Sequence, residues 1–198
     1  LNKNSKIGVS SRSFSKSRLL RSSLEEHFEN IIYNEDLRHF NEEELISFFY
    51  DCEAVIVSED IISKKIIDSL PNLKMVSKFG VGLDSIDINY LKEKNVILGW
   101  KPGVNSAAVA QLALSYLILM LREAYPLNRK LVLNEWAKVK DSRDMSGLSI
   151  GIVGYGNVGK KLASYLKIFE LKIMTYDPML QEGVLLADKV ESVSFEDI

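Results

Sequence analysis

The run Gly151-Ile152-Val153-Gly154-Tyr155-Gly156-Asn157-Val158-Gly159 constrains this chain more than any other segment of it. A G-x-G-x-x-G spacing by itself arises in many glycine-containing turns. Here an apolar strand, Ile150 to Val153, enters it and a helical stretch, Val158 to Phe169, leaves it. A second strand, Leu171 to Tyr176, then ends on Asp177, eighteen residues after Gly159. Strand, glycine turn, helix and acidic-ended strand together form the βαβ unit of dinucleotide-binding folds. Gly154 allows the sharp turn, Gly156 leaves no Cβ in the way of a pyrophosphate, and Gly159 lets the helix approach the strand. The amides of Asn157 and Val158 then face the phosphates from the helix start. Asp177 can accept from both ribose hydroxyls and would repel a 2′-phosphate, and its neighbour Pro178 is not the arginine an NADP site uses. The cofactor expected is NAD.

Upstream, short apolar runs alternate with amphipathic helical stretches. The runs Lys6–Ser10, Asn30–Tyr33, Ala54–Ser58, Lys74–Lys78 and Val96–Gly99 read as strands. Ser15–His27, Asn41–Tyr50, Ser63–Leu70 and Asp87–Lys94 read as helices between them. Asn41 with Glu44 has the spacing of a capping box, and Asp87 suits an N-cap. Such alternation implies a parallel, doubly wound sheet. The fold class is therefore α/β: a flavodoxin-like domain over residues 1–102, then a Rossmann domain over 103–198. Ser106–Leu121 reads as a long helix buried on most sides, and Trp136–Gly147 as a helical or looping stretch. Phe195–Ile198 reads as the helix after the second nucleotide strand.

The charge balance excludes several functions. With 25 Lys and Arg against 27 Asp and Glu, the net charge is −2, so no nucleic-acid or membrane partner is expected. The basic residues Arg12, Lys16, Arg18 and Arg21 read as the exposed face of a first helix. The single cysteine, Cys52, reads as a small core residue in a reducing compartment, hence the cytoplasm. One Cys and two His cannot assemble a metal cluster. No signal-peptide apolar core follows Leu1, and Ser106–Leu121 is shorter than the roughly 20 residues a membrane span needs.

Three further motifs stand in order along the chain: Lys78-Phe79-Gly80-Val81-Gly82-Leu83-Asp84-Ser85-Ile86-Asp87, Pro102-Gly103-Val104-Asn105-Ser106-Ala107-Ala108-Val109-Ala110, and Asn134-Glu135-Trp136. With the glycine fingerprint, they make the chain resemble the D-isomer-specific 2-hydroxyacid dehydrogenases from about residue 50 to 197. The resemblance implies an NAD-dependent oxidoreductase acting on a small 2-hydroxy or 2-oxo acid. Within the family the pattern is most like members that convert 3-phosphoglycerate to 3-phosphohydroxypyruvate in serine biosynthesis. It places Lys78, Gly80, Val81, Gly82 and Asn105 at the substrate, and Val81 and Val109 at the cofactor. Independently, glycines after a strand's carboxyl end expose amides that can bind a carboxylate. Asn105 also suits a helix cap.

Two positions depart from the family pattern. Asn157 stands where an arginine is usual, which removes one charge contact to the pyrophosphate but leaves the backbone amides. Gln111 stands where a glutamate is usual. The arginine, glutamate and histidine that the resemblance requires for hydride and proton transfer match nothing in this chain and are expected beyond Ile198, so no catalytic residue is assigned. His27 and His39 read as solvated. The chain is thus expected to be an N-terminal fragment whose second sheet ends on an open apolar edge, inactive alone. Family members pair through the region of the apolar Ser106–Leu121 helix, which implies a homodimer. Two alternatives remain: a dehydrogenase of another D-2-hydroxy acid such as glycerate or lactate, and a non-catalytic NAD-sensing protein like the corepressors built on this fold.

Overall fold

The computed structural model describes residues 1–138, 141–186 and 189–198 and falls into two compact units, Leu1–Pro102 and Gly103–Ile198. The first unit holds strands β1 (Lys6–Val9), β2 (Asn30–Tyr33), β3 (Ala54–Val57), β4 (Met75–Lys78) and β5 (Ile97–Gly99). All pair in parallel, in the order β2-β1-β3-β4-β5. Parallel neighbours need crossovers. These are supplied by α1 (Arg12–Lys16) with α2 (Arg18–Glu25), α3 (Glu42–Phe49), α4 (Lys64–Ser69) and α5 (Ile88–Glu93).

The central strands β1 and β3 are largely buried on both faces, which is why they read as short apolar runs. Val55, Val57 and Val76 pack with Leu45, Phe49, Ile66 and Leu91 in one core, and Ile7, Val9, Ala54 and Phe14 form another. Each such side chain contributes ~1.5–3 kcal/mol over leaving it in water. Cys52 lies in the first core, and burial pushes its thiol up to about 11.

Local chemistry sets the helix ends. Asn41 Oδ1 accepts from the Glu44 amide at 3.0 Å while Glu44 Oε2 accepts from the Asn41 amide at 2.8 Å, closing the expected capping box. Asp87 caps α5 by accepting from the Tyr90 amide at 3.0 Å. The helix expected over Ser15–His27 is instead two. Ser17 closes α1 with a backbone bond to Phe14 and opens α2 by accepting from the Leu20 amide, so the chain changes direction there. The basic cluster is correspondingly not a plain solvated face. Arg12 pairs with Glu59, and Arg21 binds Glu35 through both terminal nitrogens while stacking on Tyr33.

The second unit holds α6 (Ser106–Leu121), α7 (Ala124–Val132), β6 (Ser149–Val153), α8 (Asn157–Leu166) with a 3₁₀ turn over Lys167–Phe169, β7 (Lys172–Tyr176) and β8 (Glu191–Ser192). Its strands pair in parallel in the order β6-β7-β8. Ile152, Ala163, Leu166, Ile173 and Val190 form its core.

Two expectations are corrected here, and one helix appears that the sequence did not suggest. The long helix is not buried on most sides: Leu114, Leu117 and Leu121 pack on the core, but Leu112, Tyr116, Leu119 and Met120 are exposed, because only one side of α6 meets α8 and the sheet. Phe195–Ile198 forms no helix and follows the two-residue strand β8 as a turn. Helix α7 was hidden by Pro126, which is tolerated because it stands in the first turn, where no intrahelical amide is needed. In the Trp136–Gly147 stretch, Val139 and Lys140 lie outside the described residues, and the rest holds no helix. The edge of the second sheet at β6 is apolar and open among the described residues, with Val153 64% exposed.

Candidate functional site

In a parallel sheet with this strand order, the ligand crevice lies outside the carboxyl ends of the strands, where the order reverses between β1 and β3. An open pocket of about 540 Å³ occurs there. Ser13 follows β1, Ser58 and Glu59 follow β3, and the Phe79–Gly82 turn and Ser85 follow β4. Lys78, the last residue of β4, is half-buried, and its ammonium donates to the Ser58 carbonyl and to Ser85 Oγ (3.1 Å). Those two bonds hold the charge at the pocket wall and leave a third N–H of the ammonium for a ligand.

The turn after Lys78 is shaped by Gly80, whose φ of 153° L side chains rarely adopt. Phe79 is held by its amide on the Val57 carbonyl and by edge contact with Phe14. Among the described residues, none accepts from the amides of Gly80, Val81 or Gly82. Three consecutive open amides beside an ammonium suit a carboxylate. The Trp100 indole donates to the Val81 carbonyl at 3.1 Å, fixing the outer side of the turn. Lys78, Gly80, Val81 and Gly82 therefore line one pocket in the first unit.

The glycine fingerprint lies in the second unit. Gly154 has φ 95° and turns the chain out of β6, its amide bonded to the Tyr176 carbonyl at 2.7 Å. A Cβ at Gly159 would lie 2.1 Å from the Gly154 carbonyl oxygen, so only glycine permits this helix–strand approach. At Gly156, by contrast, nothing lies within 4 Å of a Cβ position, and as N-cap it offers no side chain to the helix start. The amides of the first turn of α8, including those of Asn157 and Val158, thus open onto free space with the positive end of the helix dipole behind them. That is the room and the charge a dinucleotide pyrophosphate requires.

Asp177 follows β7 and is tied down from both sides. Its Oδ2 accepts from the Tyr155 amide at 2.7 Å and its Oδ1 from the Met179 amide at 2.9 Å, the latter bridging over exposed Pro178. The Met179 amide, then the Tyr155 amide, holds the carboxyl below its ordinary range, so it is ionised near neutral pH. Each oxygen keeps further acceptor capacity for ribose hydroxyls. The residues present therefore fit NAD.

Not every assigned residue sits as expected. Asn105 occupies the N-cap position of α6, but its side chain makes no cap bond, which removes the capping explanation for it. Val109, one turn on, is 40% exposed. The Asn157 side chain packs on Gly103: a Cβ there would come within 2.8 Å of Asn157 Cγ. Ser13, Ser58, Glu59 and Ser85 were missed in the sequence, since isolated polar residues after strands carry no pattern. His27 and His39 are both exposed, and neither lines the pocket beside Lys78.

The chain is similar to known proteins in sequence and fold. Residues 13–193 match the family model described as D-isomer specific 2-hydroxyacid dehydrogenase, catalytic domain. Hydroxypyruvate reductase of Thermotoga maritima is 29% identical over 155 residues, covering 77% of this chain and 51% of that protein. D-3-phosphoglycerate dehydrogenase of Rattus norvegicus is 27% identical over 163 residues, covering 81% of this chain and 31% of that one. The crystal structure of NAD⁺-bound 3-phosphoglycerate dehydrogenase of Entamoeba histolytica superposes with a TM-score of 0.68 at 25% identity, over 90% of this chain and 55% of that one. The chain thus spans about half or less of the length of these curated relatives.

Proposed function

This chain belongs to the D-isomer specific 2-hydroxyacid dehydrogenase family, and from that membership we propose that it serves the NAD-dependent interconversion of a D-2-hydroxy acid and its 2-oxo acid. The observation that carries this reading is that each unit holds an anion-ready glycine turn: open amides beside Lys78 in the first, and open amides at the start of α8 beside ionised Asp177 in the second. Bound NAD would supply the hydride acceptor for the substrate's α-carbon, with the hydroxyl proton leaving to a base. The chain's own part is to bind and orient. Lys78 and the Gly80–Gly82 amides hold the acid's carboxylate. Gly154, Gly156, Asn157, Val158 and Gly159 cradle the pyrophosphate, and Asp177 with Pro178 faces the adenosine ribose.

Val81 and Val109 would meet the cofactor and Asn105 the substrate, as the family relation implies. Neither histidine lines the pocket beside Lys78, and no residue of this chain is assigned as the proton acceptor. Among D-2-hydroxy acids, 3-phosphoglycerate at the entry to serine biosynthesis, glycerate and lactate share the carboxylate and α-carbon and differ at the far end. Exposed apolar residues on α6 support a homodimer, and the buried Cys52 suits the cytoplasm.

The test is NADH formation by the full-length protein across these acids. Turnover supports the dehydrogenase. Tight NADH binding without turnover of any acid would replace it with a non-catalytic NAD-sensing protein.

A further inference from the structure

We propose that the pocket beside Lys78 selects a short, hydroxylated but unphosphorylated acid, and that Glu59 is the residue that turns phosphorylated acids away; this rests on the dehydrogenase reading above. The argument is one of charge. Of the described side chains lining the pocket, Lys78 is the one cation, Glu59 and Asp84 are carboxylates, and Ser13, Ser58 and Ser85 are hydroxyls. The nearby guanidinium of Arg12 does not change this balance, because its Nη2 lies 2.9 Å from Glu59 Oε2 and is neutralised there.

An unphosphorylated 2-hydroxy acid carries one negative charge, which Lys78 and the three open amides of the Gly80 turn match. A phosphorylated acid adds about two more charges at neutral pH. Among the described residues they meet no uncommitted cation there, since Arg12 and Glu59 neutralise each other, and Asp84 remains as a carboxylate. A C3 hydroxyl, by contrast, finds acceptors in the Glu59 carboxylate and in the serine hydroxyls that follow β1 and β3. Glu59 thus acts twice: it accepts from a hydroxyl end, and it occupies the arginine that would otherwise bind a phosphate. Charges a few ångströms apart near a protein surface shift binding on the scale of about tenfold.

The experiment compares kcat/KM of the full-length protein for D-glycerate and 3-phosphoglycerate with NAD, in the wild type and in Glu59→Gln. Glu59 is 72% exposed, so this variant keeps the fold. The expected result is a preference for D-glycerate of about tenfold or more, falling about tenfold in Glu59→Gln as 3-phosphoglycerate improves. A wild-type preference for 3-phosphoglycerate, or a ratio that Glu59→Gln does not move, overturns the proposal. If neither acid is oxidised, the dehydrogenase reading fails separately. The pocket is then read by fluorescence titration of Trp100, whose indole holds the Val81 carbonyl at the turn, in a Trp136→Phe background. Tighter binding of D-glycerate upholds the selectivity; equal, reversed or absent binding overturns it.

Discussion

The backbone amide of Tyr155 donates to Asp177 Oδ2 at 2.7 Å, so the carboxylate that follows β7 is anchored to the glycine turn that follows β6. The Met179 amide holds its other oxygen. The acidic group is therefore oriented by the backbone before any ribose reaches it, and one side chain serves both the turn and the proposed cofactor site.

Replacing Asp177 by Asn is expected to weaken NADH binding about tenfold and to narrow the margin over NADPH, because the charge that repels a 2′-phosphate is gone. Fluorescence titration with both nucleotides measures this; an unchanged NADH/NADPH ratio would remove Asp177 from the ribose site. The pH dependence follows from its lowered folded-state value. Its contribution is fully present above the unfolded-state value of about 3.8 and is lost as pH falls through the lower folded value. NADH affinity should accordingly stay flat from neutral pH down to the ordinary carboxylate range and decline below it.

Gly156→Ala and Gly159→Ala should separate binding from folding. A Cβ at Gly159 meets the Gly154 carbonyl, so that variant is expected to lose roughly 2–4 kcal/mol of stability, read by denaturant unfolding. A Cβ at Gly156 meets nothing in the protein, so that variant should unfold within about 0.5 kcal/mol of wild type yet bind NADH about tenfold more weakly. Equal stability losses in both would contradict the open space drawn at Gly156.

Leu112 and Met120 are 52% and 75% exposed on α6. Converting both to Glu should cost under about 1 kcal/mol in stability, since neither fills the core, while shifting a dimer to monomer in sedimentation velocity. A wild-type protein that already sediments as a monomer rules out pairing through α6.

Cys52 is fully buried with its thiol raised to about 11. In native buffer near neutral pH it should resist iodoacetamide and become labelled only on unfolding. Rapid labelling of the folded protein, followed by intact mass, would show that the first core opens locally.

Much of the fold was legible because its signals are local. Both-faced burial makes β3 an unbroken apolar run, Asn41 and Glu44 are three residues apart in one turn, and the fingerprint glycines answer to steric demands within a dozen residues. What escaped was of two kinds. Ser17, a serine inside an otherwise helical pattern, could be a surface position or a break, and only the packing of α1 and α2 chose the break. Strand β8 has just two residues, and its ladder to β7 is a pairing across sequence rather than a pattern along it. The exposure of α6 was misjudged for a related reason: composition records that a helix is apolar, not how much of it a neighbouring element covers.

By itself the sequence determined an α/β chain with parallel sheets, a glycine turn with the dinucleotide-fingerprint spacing, and a carboxylate eighteen residues on, because each depends on sterics and hydrogen bonding between residues close along the chain. The tertiary structure alone decided that Lys78 turns its ammonium to Ser58 and Ser85, that Glu59 takes Arg12 out of the pocket's charge balance, and that Asn157 rests on Gly103. Most of these partners come from different strands or turns, brought within a few ångströms only when the cores pack; the contacts are long in sequence and short in space, so no local pattern could encode them.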